Sequence, residues 1–172
     1  MPGSNKPRQK QNDNNAWRHA RLVPGQGTNV KLSKTSAQAA LALAYLALQD
    51  ETHIIQAKQV AKHLGIPSDS ALKILQALAR HRIIHSRLGR SGGYRLASAA
   101  AQITLLQVIE AIDGPISGQV RIDNAAANIA GGLHLLQVIS QQAADRIREE
   151  LSQTTVADIV ASNESQMLAA AQ

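Results

Sequence analysis

The 172-residue chain has no cysteine and no phenylalanine, and its aromatic side chains are Trp17, Tyr45 and Tyr94. The missing cysteine excludes disulfides, thiolate zinc sites and cysteine-ligated iron–sulfur clusters. The missing phenylalanine means that the core must be aliphatic. Ala, Leu, Ile and Gln dominate, which favours helices over strands. No run of eighteen apolar residues occurs, so no membrane span is expected. The N-terminus is polar and basic with no apolar signal core, which points to a cytoplasmic protein. Catalytic signatures are also missing. There is no P-loop, no HExxH and no serine on the strand-to-helix turn of a nucleophile elbow, since Gly89-Arg90-Ser91-Gly92-Gly93 leads into a strand. The acids of the last third fall on helix faces or caps. No catalytic residue, metal ligand or cofactor is assigned.

What is present is charge, unevenly spread. The net charge is +6, but residues 1–29 carry +4, residues 30–97 carry ten bases against three acids, and residues 98–172 carry −5. A basic middle followed by an acidic end points to an anionic partner for the first part, although a solvated basic surface gives the same count. Apolar residues make up 44% of the chain, enough for one core.

Residues 1–29 are rich in Asn, Gln, Pro and Gly and read as a disordered basic tail. Ser36 to Leu48 is strongly apolar and predicts a helix buried on most sides. After a turn at Asp50–Thr52, Ala57, Val60, Ala61 and Leu64 fall on one face of a short helix from Gln56, closed by Gly65 in a left-handed cap. A third helix follows Ile66–Pro67, with Ser68 or Asp69 as its cap and Ala71, Ile74, Leu75 and Leu78 as its buried face. Helix, glycine turn, helix is the spacing of a helix-turn-helix, a pattern that other helical hairpins share.

The next stretch is more specific. Ile83–Ser86 and Tyr94–Leu96 read as two strands around the glycine-rich turn Leu88-Gly89-Arg90-Ser91-Gly92-Gly93. A β-hairpin placed directly after a helix-turn-helix is a wing. Arg87, Arg90 and Arg95 surround the turn. The glycines lead into a strand rather than a helix, which argues against a nucleotide site. Thr104 and Gln107 form a capping box for a helix ending at Gly114-Pro115. Residues 116–132 read as irregular. A long helix covers about Leu133 to Leu151, with Leu136, Ile139, Ala143, Ile147 and Leu151 at the spacing of a helix packed along a partner. Thr155 and Asp158 cap a short last helix, Val156 to Val160, and the tail from Ser162 reads as frayed.

The stretch Lys31 to Pro115 resembles the Rrf2 family of winged-helix transcription regulators. The likeness rests on Ala40-Leu41, Tyr45-Leu46-Ala47, Val60-Ala61, Gly65-Ile66-Pro67, Lys73-Ile74-Leu75-Gln76 and the wing exit Gly92-Gly93-Tyr94-Arg95-Leu96-Ala97. It continues through Ile103-Thr104-Leu105-Leu106 and Ile109 to Pro115, and the long helix and Thr155-Val156-Ala157-Asp158 also fit. The resemblance implies a mainly α fold with a small β-hairpin wing, a winged helix-turn-helix over 30–115, a loop over 116–134 and a dimerisation part over 135–162. It implies a homodimer that reads a palindromic operator in double-stranded DNA, commonly as a repressor. Three departures stand out. The cluster-holding members place three cysteines before the long helix, and this chain has none there. Ser70-Ala71 replaces a frequent Tyr-Leu in the recognition helix. Leu88 stands where an arginine is common. Cluster-based sensing is therefore not expected, and the family's usual operator is not carried over.

On this reading Ser68, Asp69, Ser70 and Leu72 face base edges, Leu72 suiting a thymine methyl, and Lys73 faces a phosphate or guanine. Lys58, Lys62 and Arg80 bond phosphates, while Arg87, Arg90, Ser91 and Gly92 bring the wing to the minor groove. Bland roles are open for several of these. Lys58 and Lys62 fit a solvated helix face, Asp69 a cap, and Leu72 the interior. His81 and His85 lack a third ligand for a metal. Two rival classes remain: a protein-interaction module of the same fold that has lost specific DNA binding, and a regulator that senses a small molecule or protein through residues 116–134.

Overall fold

The computed structural model describes residues 32–50, 53–89, 92–119 and 130–170. Six α-helices and one hairpin follow in the order α1 (Lys34–Ala47), α2 (Ala57–Leu64), α3 (Ser68–Arg80), β1 (Ile84–Arg87), β2 (Gly93–Leu96), α4 (Leu105–Asp113), α5 (Ala130–Gln153) and α6 (Val156–Ala170), with a 3-10 turn at Ala100–Gln102 before α4.

Helix α1 lies at the centre because it is apolar on most of its circumference. Ala39, Ala42, Leu43 and Leu46 are buried, and α2, α3, α4, α6 and β2 all pack against it. Its small alanines let those neighbours approach closely. Val60 of α2, Ile74, Leu75 and Leu78 of α3, Val108 of α4 and Val156 of α6 complete an entirely aliphatic core. Each such fully buried side chain contributes about 1.5–3 kcal/mol relative to an exposed one.

Local signals set the ends of the helices. Ser33 caps α1 by accepting from the Ser36 N–H at 3.0 Å. The Gln59 side chain accepts from the Gln56 N–H at 2.8 Å at the start of α2, and Gly65 closes that helix at φ 63. Thr104 and Gln107 exchange bonds of 3.0 and 3.3 Å at the start of α4. The cap expected from Ser68 or Asp69 is not made. Helix α3 begins at Ser68 itself with Pro67 as its N-cap and no side-chain cap bond. A capping side chain acts from the N-cap position, which Pro67 occupies without an acceptor, while Ser68 and Asp69 already lie inside the first turn. Arg82, beyond the other end of α3, takes a left-handed φ of 60, and the Ile83 N–H reaches back to the Leu78 carbonyl at 3.0 Å.

The hairpin is antiparallel and pairs Ile84 with Leu96 and Arg87 with Gly93 at its two ends. Ile55 adds a short third edge, exchanging two backbone bonds of 2.9 Å with Tyr94. This edge lies between the turn at Asp50–Thr52 and the helix from Gln56, where the sequence reading assigns no element. The far end of the chain is tied in the same manner. Leu105 N–H donates to Thr154 O at 2.8 Å and Val156 N–H to Ile103 O at 2.9 Å.

Two extents differ from expectation. Helix α5 starts at Ala130, inside the stretch 116–134 read as a loop, and α6 continues to Ala170 rather than stopping at Val160. Residues 161–170 hold no proline or glycine and are rich in Ala, Met, Leu and Gln, which are good helix formers. Helix α5 packs on α4, where Arg148 forms an ion pair with Glu110. Glu110 also accepts from the Ile116 N–H at 3.3 Å. No helix among the described residues is long and apolar enough to cross a membrane.

Candidate nucleic-acid interface

Helix α3 is amphipathic in a way that fixes what it offers to solvent. Ala71, Ile74, Leu75 and Leu78 are buried. Asp69, Leu72, Lys73, Gln76 and Arg80 are exposed, at spacings of three and four that keep them on the opposite face. Leu72 is 38% exposed and so is not a core residue. Ser68 is exposed and Ser70 half-buried.

The start of α2, the second half of α3 and the wing border a cleft of about 860 Å³. Its walls carry the cations Lys58, Lys73, Arg80 and Arg87, with Gln56, Gln76 and Ser86 between them. Among the described residues no carboxylate lines it and none of the four cations forms an ion pair. The wing turn is held by the Gly92 N–H, which donates to Gly89 O at 2.9 Å. Leu88 at its tip is 94% exposed.

The structure thus brings Lys58, Lys73, Arg80, Arg87 and Gly92 of the anticipated set to one cleft. Lys62 is exposed one turn further along α2, and Ser68, Asp69, Ser70 and Leu72 occupy the first turns of α3, outside the cleft lining. Arg90 and Ser91 lie outside the described residues. Gln56 and Gln76 were not anticipated. Gln76 was recoverable from the sequence, because it shares the helical face of Asp69, Lys73 and Arg80. On α5, Leu136, Ile139 and Ala143 are exposed, Ile147 and Leu151 are half-buried, and Ala144 is the buried position.

Residues 32–162 match the family model Rrf2, described as an iron-dependent transcriptional regulator. The chain belongs to the Rrf2 family. It is a DNA-binding transcriptional regulator, and members of this family are not enzymes. A helix-turn-helix-type transcriptional regulator of Mycobacterium tuberculosis strain H37Rv is 28% identical over 130 residues, 76% of this chain and 81% of the relative. A regulator of the same type from Synechocystis is 36% identical over 84 residues, 49% of this chain and 57% of the relative. Among solved structures, CymR, the global cysteine regulator of B. subtilis, superposes with a TM-score of 0.59 at 21% identity, over 77% of this chain and 98% of that one. T. potens IscR gives a TM-score of 0.60 at 20% identity, over 80% and 91%. At those identities the likeness is one of fold.

The iron in the family description meets a chain with no thiolate. There is no cysteine, and residues 116–133 hold no histidine either. The exposed His134 offers one imidazole. Among the described residues no three His, Asp or Glu side chains gather as metal ligands. A thiolate-held iron–sulfur cluster does not fit this Rrf2 protein.

Proposed function

We propose that this Rrf2 protein is a cluster-free cytoplasmic repressor that binds a palindromic operator as a homodimer. The observation that carries this reading is the cleft between α3 and the wing, which four cations line and, among the described residues, no carboxylate does. Helix α3 enters the major groove, with Ser68, Asp69, Ser70, Leu72 and Gln76 at base edges. A glutamine matches the donor and acceptor pair of adenine, and Leu72 suits a thymine methyl. Lys58, Lys62, Lys73 and Arg80 meet phosphates, and Arg87, Arg90, Ser91 and Gly92 bring the wing to the minor groove. Phosphate contacts supply affinity while base contacts supply specificity.

The exposed apolar residues of α5 support the dimer. Two heads joined through α5 read two half-sites, and a dimer seated on promoter DNA blocks access to it. With no cluster, the signal is a small molecule or a partner protein acting on residues 116–134.

Selection of bound sequences from random duplex DNA at two salt concentrations tests the proposal. The expected result is an enriched palindrome and a logarithmic salt slope on the order of −7, since four phosphate-bonding cations per head release their counterions. A slope near zero overturns it. Tight dimers with no enriched sequence support a protein-interaction module instead.

A further inference from the structure

Two side chains on the outward face of the wing, those of His85 and Arg95, take no part in the cleft. The register pairs Ile84 with Leu96, His85 with Arg95, Ser86 with Tyr94 and Arg87 with Gly93. Successive side chains of a strand point to opposite faces. Ile84, Ser86, Tyr94 and Leu96 therefore share one face, and His85, Arg87, Gly93 and Arg95 the other. Ile84 is 2% exposed and Ser86 and Tyr94 line the cleft, so the first face turns toward the core and α3. His85, Arg87 and Arg95 are all exposed on the second.

Every side chain on that outward face is basic, and the fourth position is glycine. His85 and Arg95 stand directly opposite each other, and among the described residues neither they nor Arg87 forms an ion pair. Bases paired across strands without a carboxylate do nothing for the hairpin itself. Gly93 is needed for room. A Cβ there would lie 2.5 Å from the Ile55 carbonyl oxygen and 2.9 Å from the Ile54 side chain. Ile54 thus lies across the gap, and with His85, Ser86, Arg87, Gly93 and Arg95 it lines a groove of about 460 Å³. Its walls are cationic and its floor is apolar.

We propose that this outer groove is a second phosphodiester-binding surface, which holds the backbone ridge on the far side of the minor groove from α3. The inference rests on the reading of the wing as a DNA element. A minor groove is only about 6 Å wide and is bordered by a phosphate ridge on each side. A two-stranded ribbon at its mouth faces both ridges. The cleft side, with Lys73 and Arg80, meets one ridge. The outer side, with His85 and Arg95, meets the other. Arg95 carries the planar donor fork that matches two phosphate oxygens at once.

The test uses the full chain and its selected operator. Affinity is measured against salt for the wild type, Arg95→Gln, His85→Gln and Lys73→Gln, together with phosphate-ethylation interference. Arg95→Gln is expected to flatten the salt slope by about 1 per head with sequence preference unchanged. Interference is expected to vanish on one ridge of the minor groove, and Arg95→Lys is expected to restore most of the slope. Lys73→Gln is expected to erase phosphates on the other side of the wing. Unaltered slopes and maps for both Arg95→Gln and His85→Gln, beside a weakened Lys73→Gln, overturn this inference alone. A wild type that binds DNA without salt dependence overturns both readings.

Discussion

Ser36 of α1 donates a hydrogen bond of 2.5 Å to the carboxylate of Asp113, the last residue of α4, 77 residues along the chain. Ser33 donates to the other carboxylate oxygen at 2.8 Å while it caps α1. Asp113 therefore also sits at the positive end of the α1 dipole, where a carboxylate is favoured. Ser36 is only 1% exposed and would otherwise bury an unpaired hydroxyl. Asp113→Ala removes both bonds at once. A hydrogen bond to a charged group contributes about 1.5–3 kcal/mol, and a loss of that order is expected in urea unfolding. Asp113→Asn should cost less, because it keeps an acceptor.

On the proposed reading, Gln76 of α3 reads a base and Lys58 of α2 binds the backbone. Gln76→Ala is expected to relax preference at one base position of each half-site, at a cost of about 1–3 kcal/mol against the selected operator. Lys58→Gln is expected to weaken all duplexes alike and to flatten the salt slope. Competition binding across a set of single-base operator variants checks both. A uniform loss for Gln76→Ala would remove it from the base-reading set.

Much of this was legible in the residues. Ala71, Ile74, Leu75 and Leu78 have helical spacing because only one face of α3 meets the core, and Gly65 and Thr104 mark ends that depend on local backbone chemistry. What could not be read depends on distant partners. The Ile55 edge exists because Tyr94, 39 residues away, offers it two backbone bonds. The expected cap at Ser68 or Asp69 failed because the helix starts at Ser68 and leaves Pro67, which has no side-chain acceptor, at the capping position. The outward row His85, Arg87 and Arg95 shows only once the hairpin register is known, since His85 in isolation invites comparison with His81 as a metal ligand.

Gly93 tests how firmly the wing is set. Gly93→Ala would drive a methyl into the Ile55 carbonyl, where backbone rather than a flexible side chain has to move. A core or backbone overlap of this kind costs about 1–3 kcal/mol. Thermal unfolding is expected to show that loss, and DNA affinity is expected to fall with it as the wing shifts. A variant as stable as the wild type would mean that the Ile55 edge is not seated as described.

The start of α6 carries a pH dependence with a definite sign. Asp158 is held below its ordinary value of 3.8 by the Thr155 hydroxyl and then by the Thr155 N–H, at 2.7 and 2.8 Å. A carboxyl with a depressed folded value binds fewer protons in the native state. Its contribution is therefore complete above the unfolded value and is lost as pH falls through the folded one. Asp158→Asn is expected to be less stable than the wild type at pH 6, with the gap closing as pH drops below 3.8. Chemical unfolding of both proteins from pH 7 to pH 2 measures it. A gap that persists unchanged at pH 2 would show that the effect is not the carboxylate's.

The exposed stripe on α5 tests the assembly. Leu136 and Ile139 are each 53% exposed, and Leu135 is 58% exposed beside them. A leucine or isoleucine that remains in water forgoes much of the about 1.5–3 kcal/mol that burial contributes. On the chain alone these side chains stay in water, and a second α5 laid along them would bury all three in both copies. Leu136→Glu with Ile139→Glu places four carboxylates in that contact and none in the core. Sedimentation is expected to show a dimer for the wild type and a folded monomer for the double variant, with circular dichroism unchanged. Operator binding should then fall by far more than the loss of a single phosphate contact, because two half-sites no longer bind as one unit. A double variant that stays dimeric would move the interface elsewhere.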